Sequence, residues 1–298
     1  MNRIGGKDMS IVNAREMLMK ATREKYSVGA FNVTSLVQME AVVEAAAKKK
    51  SAVIIQTSVS PAKFFKPEVL AAAYRALVEK SPYPVCLHLD HCTEPDFCKR
   101  CADVGYTNIM IDASKEPFER NVEITRNVVE YCRSVGDITV EGELGTVVGV
   151  EDNIAVTGKE ASLCDPDKAE EFVRRTGIDL FAPAIGTAHG MYKSEPKIDF
   201  DLFARIADIL NGKGVRVPLV IHGGTGLSYE VTRRLVSLGG AKFNVSTELK
   251  YALIDASYEY LAANKNDYNP GKLDAAVYTR TVALIEKWID VLGSAGKY

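Results

Sequence analysis

The sequence predicts an α/β protein folded as a (β/α)8 TIM barrel, and three observations carry that expectation. Short apolar runs rich in β-branched residues alternate with longer stretches of helical periodicity. Eight such runs occur, each followed by a helical stretch, which is the count that a closed parallel barrel needs. Polar residues gather at the C-terminal ends of the runs, the edge where barrel enzymes place their chemistry. The length of 298 residues would suit about two average domains, but α/β barrels reach this size as one unit, and 47% hydrophobic residues supply a large core.

Residues 9–25 are expected to form an extra helix ahead of the first strand, covering the bottom of the barrel. The strands are placed at residues 27–33, 52–56, 85–89, 108–111, 138–144, 179–184, 217–221 and 242–245. Behind the first strand, Leu36, Met39, Val43 and Ala46 recur at three-to-four spacing after a Ser35/Gln38 capping box. Further helices are expected at residues 96–104, 118–135, 168–175, 200–210, 229–238 and 247–263. Asp165-Pro166, an N-cap followed by proline in the first helical position, opens the third of these. An extra C-terminal helix at residues 275–292 follows the eighth strand.

Residues 145–162 stand apart as a long irregular loop, with Gly145, Gly149 and Gly158 and the pair Glu151-Asp152. A loop of this length in a compact domain is functional or mobile, and after the fifth strand it would stand at the catalytic face. No proline-rich linker, low-complexity tract or internal repeat divides the chain. A single domain over residues 1–298 is expected, with residues 1–8 as a leader outside the ordered fold.

The net charge is −2, and no basic run or basic-aromatic stripe is visible, which argues against nucleic acid as a partner. No apolar stretch is long enough to cross a bilayer, and the first residues carry no signal-peptide apolar region. Six cysteines are present, two of them in Cys98-Lys99-Arg100-Cys101. A CxxC can be a redox or zinc pair. Here no second CxxC partners it and it lies in a predicted helix, so reduced thiols in a cytoplasmic protein are expected.

Only four histidines occur, and three of them close separate short motifs at the ends of apolar runs: His91, His189 and His222. Imidazole is the usual zinc ligand, and three protein ligands plus an open position is the usual catalytic arrangement. His88 precedes His91 by three residues and would point to the opposite face of an extended strand, as a support and not a ligand. Glu141 and Glu143 share a face of the fifth strand. One could hold a metal or a substrate hydroxyl while the other orients a ligand. Asp90 beside His91 is an acid/base or a group supporting a ligand. Asp112 is a second metal ligand or a strand-end cap.

Asn32, Ser58 and Ser114 are further polar groups at strand ends, with Asn244, Ser246 and Thr247 closing the eighth. Two turns, Gly223-Gly224-Thr225-Gly226 and Asn244-Val245-Ser246-Thr247, each precede a helix. Backbone N–H groups at such places bind phosphate, and the loops after strands seven and eight are the common barrel phosphate site.

At this point the chain resembles the class II, metal-dependent ketose-bisphosphate aldolases, the group that includes the fructose- and tagatose-bisphosphate enzymes. The likeness runs end to end. It is carried by residues 26–33, His88-Leu89-Asp90-His91, Met110-Ile111-Asp112-Ala113-Ser114, and Glu141-Gly142-Glu143-Leu144-Gly145 with Glu151-Asp152. Gly186-Thr187-Ala188-His189-Gly190, Ile221-His222-Gly223-Gly224-Thr225-Gly226 and residues 244–250 continue it, and the ending at 293–297 is also similar. Thr247-Glu248-Leu249-Lys250 looks more like the tagatose branch than the long fructose-specific one.

The resemblance implies reversible cleavage of a ketose 1-phosphate or 1,6-bisphosphate, of tagatose or fructose type, to dihydroxyacetone phosphate and an aldehyde such as glyceraldehyde 3-phosphate. It implies that His91, His189 and His222 hold a catalytic Zn2+, with Glu143 and Asp112 at a second or alternative divalent position. Asn32, Ser58, Gly190, Lys193, Gly223, Gly224, Thr225, Ser246 and Thr247 would line the substrate site, assisted by Na+ or K+. Asp90 would polarise and protonate the aldehyde oxygen. Glu151 on the loop would move the proton at the nucleophilic carbon, and Asn244 would donate a hydrogen bond to the enediolate. A homodimer or homotetramer is implied, with the C-terminal helices as contacts.

Two departures from the family pattern bear on the substrate. Ser246 stands where fructose-specific members often carry an acidic residue. The arginine that the family uses for the distal phosphate, often from a neighbouring subunit, has only Arg280 as a candidate, in a sequence context that matches poorly. The far end of the substrate could therefore carry a sulfonate or no charged group. Other chemistries remain open from the residues: a Schiff-base aldolase using Lys242, a metal-dependent hydrolase, or a phosphosugar-binding regulator on the same barrel. The Schiff base leaves the three histidines without a purpose.

Overall fold

The alternation of strands and helices closes into a ring. The computed structural model describes residues 10–151, 154–156, 162–190, 197–214 and 216–298. The chain begins with helix α1 (Arg15–Glu24), then strand β1 (Val28–Asn32), α2 (Leu36–Lys49) and β2 (Val53–Ser58). Next come α3 (Val59–Phe65), α4 (Pro67–Val78), β3 (Val85–Cys92), α5 (Pro95–Val104) and β4 (Asn108–Ile111). Helix α6 (Phe118–Val135) leads to β5 (Thr139–Leu144), then to β6 (Val148–Glu151), β7 (Ile154–Val156) and α7 (Pro166–Thr176). Strands β8 (Leu180–Pro183) and β9 (Ala188–His189) precede α8 (Phe200–Asn211) and β10 (Leu219–Ile221). The chain ends with α9 (Tyr229–Leu238), β11 (Gly240–Val245), α10 (Thr247–Ala263) and α11 (Pro270–Val291).

Eight strands pair in parallel in the order β1-β2-β3-β4-β5-β8-β10-β11, and β11 returns to β1. The predicted barrel is therefore present. The period-two alternation of the strands splits their apolar residues into two cores. Phe31, Ile55, Leu87, Leu89, Ile111, Val140 and Phe243 face outward into the core shared with the helices. Val28, Ala30, Ile54, Cys86, Leu180 and Val220 face inward. Ala14, Met17, Leu18 and Ala21 of α1 join this inner cluster, so α1 seals the bottom as expected.

Several boundaries differ from the sequence expectation. Residues 10–14 are not helical, and α1 stops at Lys25, whose φ of 57° ends it in the left-handed region. The span between β2 and β3, for which periodicity set no helix bounds, holds two helices, α3 and α4, separated by Lys66 at φ 70° and opened again by Pro67 at the first helical position. Helix α11 begins five residues before the expected 275, where Asn269 caps it by accepting from the Gly271 amide at 3.0 Å.

The largest correction concerns residues 145–162. They are not irregular throughout: β6 and β7 pair as an antiparallel hairpin, and β6 pairs in parallel with β9. The valine-rich run Val147-Val148-Gly149-Val150 has strand propensity that the glycines masked. Residues 152–153 and 157–161 of this stretch, and the expected leader 1–8, lie outside the described residues.

All six cysteines are free and buried, and Cys98 and Cys101 sit within α5 without a metal group around them among the described residues. No helix among the described residues is long and apolar enough to cross a membrane.

Candidate active site

The site is assembled at the C-terminal mouth of the barrel, and β3 sets its centre. In an unbroken strand, His88 and Asp90 would face inward and His91 would turn outward with Leu89. The inward half of that holds: His88 and Asp90 are fully buried inside the barrel. His91, however, has φ 45°, and the β3–β4 register slips between Leu89 and Cys92. A left-handed conformation is unusual for a residue with a Cβ and marks a functional constraint. It swings the His91 imidazole into the mouth beside Asp90. The expectation that His88 lies on the face opposite His91 is corrected by this break.

His91, His189 and His222 converge. Their ring centroids are 4.4 Å (His91–His222), 4.7 Å (His91–His189) and 6.0 Å (His189–His222) apart. One ligand nitrogen from each lies within 4.8 Å of the others. His222 directly follows β10. His189 does not end the sixth barrel strand, which stops at Pro183, but lies in β9, paired with Gly149 of the hairpin. Gly149 has φ 116°, and a Cβ there would collide with the His189 carbonyl, so only glycine lets the hairpin lie this close to the histidine.

The donor set fits a zinc-like cation. Burial first, and then the neighbouring His91, push the His189 and His222 imidazoles below their ordinary pKa, so both rings are neutral ligands. His91 Nδ1 lies 3.0 Å from Asp112 Oδ2 and His222 Nε2 lies 3.0 Å from Glu141 Oε1. Carboxylates in these places orient metal-bound imidazoles and fix their tautomers.

A second group, His91, Asp112 and Glu143, also clusters within 4.8 Å. Asp112 accepts from the Ser114 amide and hydroxyl at 3.1 and 2.7 Å. Burial opposes its charge, but His91 and Ser114 hold it well below the usual carboxylate range. Glu143 is pushed the other way, by burial and by Asp112. A cation beside this pair would relieve that opposition.

Below the imidazoles lies a bed of buried polar groups. Asp90 Oδ1 accepts from Asn244 Nδ2 at 3.1 Å, and Oδ2 accepts from Asn32 Nδ2 at 2.8 Å and Gln56 Nε2 at 3.4 Å. Burial opposes ionisation of Asp90, but His91 and His88 lower it into the carboxylate form. Lys242, fully buried, stands 3.0 Å from Glu141 Oε2 and 2.8 Å from Asn244 Oδ1. Burial would raise Glu141, yet Lys242 and His222 bring it down to about 2.

Beside the imidazoles, a cavity is lined by His189, Gly190, Gly223, Gly224, Thr225, Asn244, Ser246, Thr247 and Lys250. Helix α10 starts at Thr247, so its first N–H groups open onto this space. The two predicted turns thus meet in one pocket, together with Gly190. Gly223 has φ 64°, and a Cβ there would strike the Ala188 carbonyl. Lys250, one turn into α10, brings a cation to the pocket; sequence reasoning missed it, although its place three residues after Thr247 was the available signal.

The remaining expected residues are placed as follows. Asn32 is buried against Asp90 and Gln56, positioned to hold the carboxylate rather than lining the cavity. Ser58 ends β2 level with Asp90 and does not line the cavity either. Arg280 is on the surface of α11, paired with Glu259 of α10, and is not brought to the site of its own chain. Lys193 lies outside the described residues, and of Glu151 only the backbone, in β6, is described. Gln56 was missed; its signal was a polar residue at the inward parity of an otherwise apolar run.

Comparisons with known proteins show the family. The family model for class II fructose-bisphosphate aldolase matches residues 12–297. The fructose-bisphosphate aldolase of Geobacillus stearothermophilus is 42% identical over 294 residues, covering 97% of this chain and 99% of that protein. The fructose-bisphosphate aldolase of Helicobacter pylori is 33% identical over 311 residues, covering 96% of this chain and 99% of that one. The crystal structure of the YdjI aldolase from Escherichia coli superposes with a TM-score of 0.83 at 32% identity, covering 96% of this chain and 99% of that one. A match over nearly the whole chain, joined to three convergent imidazoles at a barrel mouth, places the chain in the class II fructose-bisphosphate aldolase family of carbon–carbon lyases.

Proposed function

We propose that this chain is a zinc-dependent aldolase that splits the C3–C4 bond of a ketose 1-phosphate or 1,6-bisphosphate of tagatose or fructose type. The products are dihydroxyacetone phosphate and an aldehyde such as glyceraldehyde 3-phosphate. The observation that carries this reading is the convergence of His91, His189 and His222 above Asp90 and Asn244, beside a glycine- and hydroxyl-lined pocket. A divalent cation held by the three imidazoles supplies Lewis-acid stabilisation of the enediolate.

The chain's own residues do the rest. Asp90, a buried carboxylate, takes the C4-hydroxyl proton as the C4 carbonyl forms and the C3–C4 electron pair passes to the enediolate. In the direction of synthesis it returns that proton to the aldehyde oxygen. Asn244 turns its amide N–H toward the same space. Glu151 is the group assigned to deliver a proton to C3, from the hairpin that pairs with His189. Thr225, Ser246, Thr247, Lys250 and the start of α10 receive the 1-phosphate, with a monovalent cation assisting. Asp112 and Glu143 serve as supports of His91 or as an alternative cation position.

One observation favours a second reading of the substrate's far end. Arg280 is held at the surface by Glu259, and the pocket beside the imidazoles has no arginine in its lining among the described residues. A ketose 1-phosphate with a sulfonate or deoxy terminus would avoid the need for one, as would Arg280 reaching a neighbouring subunit. A homodimer or homotetramer is supported by α10, whose outer face exposes Tyr251, Ile254, Tyr258 and Leu261 at helical spacing. Six free thiols support a reducing, cytoplasmic setting.

The test is a coupled assay for dihydroxyacetone phosphate across fructose, tagatose and sulfonated ketose phosphates, before and after chelation. Loss of cleavage on chelation and its return with zinc are expected. Full activity in metal-free protein, or phosphate released without carbon–carbon cleavage, would exclude the proposal.

A further inference from the structure

One buried cation has no part in the chemistry just described. Lys242 projects inward from β11 and is fully shielded from solvent. Its Nζ lies 3.0 Å from Glu141 Oε2, 3.4 Å from Glu141 Oε1 and 2.8 Å from Asn244 Oδ1. The sequence allowed Lys242 as a Schiff-base nucleophile. These contacts instead tie the amine into an ion pair on the floor of the site.

We infer that Lys242 is a positioning residue, which sets through Glu141 and Asn244 which nitrogen of His222 carries the lone pair and which end of the Asn244 amide faces the substrate. The argument is one of donors and acceptors. An ammonium only donates, so the group of Asn244 that faces Lys242 must be its carbonyl oxygen. The NH2 is then left to point at Asp90 Oδ1, 3.1 Å away, and toward His222 Nδ1, 3.3 Å away. A flipped amide would set NH2 against an ammonium and oxygen against a carboxylate.

Glu141 follows the same logic. With Lys242 bound chiefly at Oε2, its Oε1 meets His222 Nε2 at 3.0 Å. A carboxylate only accepts, so Nε2 carries the hydrogen and Nδ1 keeps its lone pair for a cation. Without Lys242, a buried Glu141 would have no cation beside it to keep it in that accepting role. The consequence for metal binding rests on the proposed metal-dependent reading; the donor–acceptor assignment does not.

The test reads the tautomer directly. Long-range 1H–15N spectra of metal-free, otherwise intact protein report which ring nitrogen of each histidine is protonated. In the wild type, His222 is expected as a single Nε2–H tautomer. Lys242→Met leaves Glu141 buried without its cation and could fail to fold, so a charge-neutral Lys242→Met/Glu141→Gln double variant accompanies it. A glutamine at that place can donate or accept, so the double variant should show a second His222 tautomer. Its zinc dissociation constant, measured by competition with a chromophoric chelator, should rise roughly 10- to 100-fold. A wild-type His222 protonated at Nδ1 would overturn the inference even if neither variant folded. So would a double variant that keeps one Nε2–H tautomer and binds zinc within twofold of the wild type. Both measurements omit sugar. A wild type with the expected tautomer but no aldol cleavage would therefore defeat the proposed reaction and leave the positioning role standing.

Discussion

Both oxygens of Asp90 are engaged by side-chain amides, from Asn244 on one side and from Asn32 and Gln56 on the other. All the donors converge on a group that can only accept. The arrangement keeps a carboxylate ready as a base while fixing it below the imidazoles. Asp90→Asn preserves the size and removes the base. It also puts an NH2 where either Asn244 or Asn32 already presents one, so a donor faces a donor. We expect kcat to fall roughly 100- to 10,000-fold, in the range for loss of a general acid–base group. Stability should drop by about 1–3 kcal/mol, the cost of a buried unsatisfied polar group. Coupled-assay kinetics with a thermal melt of the same sample would check both. A kcat within tenfold of the wild type would remove Asp90 from the proton-transfer role.

At the scale of the element, glycine at a few turns decides where ligand-bearing segments can lie. Gly223 follows His222 in the left-handed region, and its missing Cβ makes room for the Ala188 carbonyl of β9. Gly223→Ala should cost roughly 1–2 kcal/mol in backbone conformation alone. It also pushes the strand that carries His189 away from His222. The zinc dissociation constant should therefore rise at least tenfold, whereas a substitution at Gly136, where a Cβ meets nothing within 4 Å, should leave it unchanged. Equal zinc affinity in Gly223→Ala and wild type would show that the two segments are not coupled. The same elements show why the sequence was legible in part. Continuous apolar runs located all eight barrel strands because each strand is buried on both faces, toward the helices and toward the barrel interior. His91 and His222 were legible because each closes an apolar run, whereas His189 lies in β9, beyond the end of the sixth barrel strand. Sequence pattern could not show that β3 breaks at His91, because no residue type at that position signals a positive φ. Nor could it separate a glycine-bearing strand from a loop, which is why β6 was missed. Gln56 and Lys250 found their roles only through contacts 24 or more residues away in sequence or across the pocket, which no local pattern records.

At the scale of the whole molecule, the barrel collects titratable groups in its interior, and this gives the metal-free protein a defined pH dependence. His88, His189 and His222 are each pushed below the ordinary imidazole pKa, by burial first. In the unfolded chain they protonate near pH 6.5. Between the folded and unfolded values the unfolded state binds more protons, so stability increases with pH and is lost as pH falls below about 6.5. Glu143 acts oppositely, because burial and Asp112 raise its folded pKa above that of the unfolded chain. Its contribution is present at low pH and is lost as pH rises through the folded value. Three imidazoles outweigh one carboxyl, so the net effect of these four groups is that metal-free stability falls as pH drops below about 6.5. Asp90, Asp112 and Glu141, all lowered, add to the loss only as pH falls through the carboxylate range. Zinc should oppose this loss. Ligand present at a thousandfold excess over its dissociation constant stabilises the native state by about 4 kcal/mol. For a chain of this size that is a rise of roughly 6 °C in Tm. The rise should shrink below about pH 6, where protons compete for the imidazoles. Melting curves of chelator-treated protein from pH 5 to 8, with and without zinc, would show both effects. A Tm that ignores zinc at pH 7.5 would mean that His91, His189 and His222 do not act together on one ion, and metal-free stability that stays flat from pH 7 to 5 would mean that His88, His189 and His222 are not held neutral in the folded state.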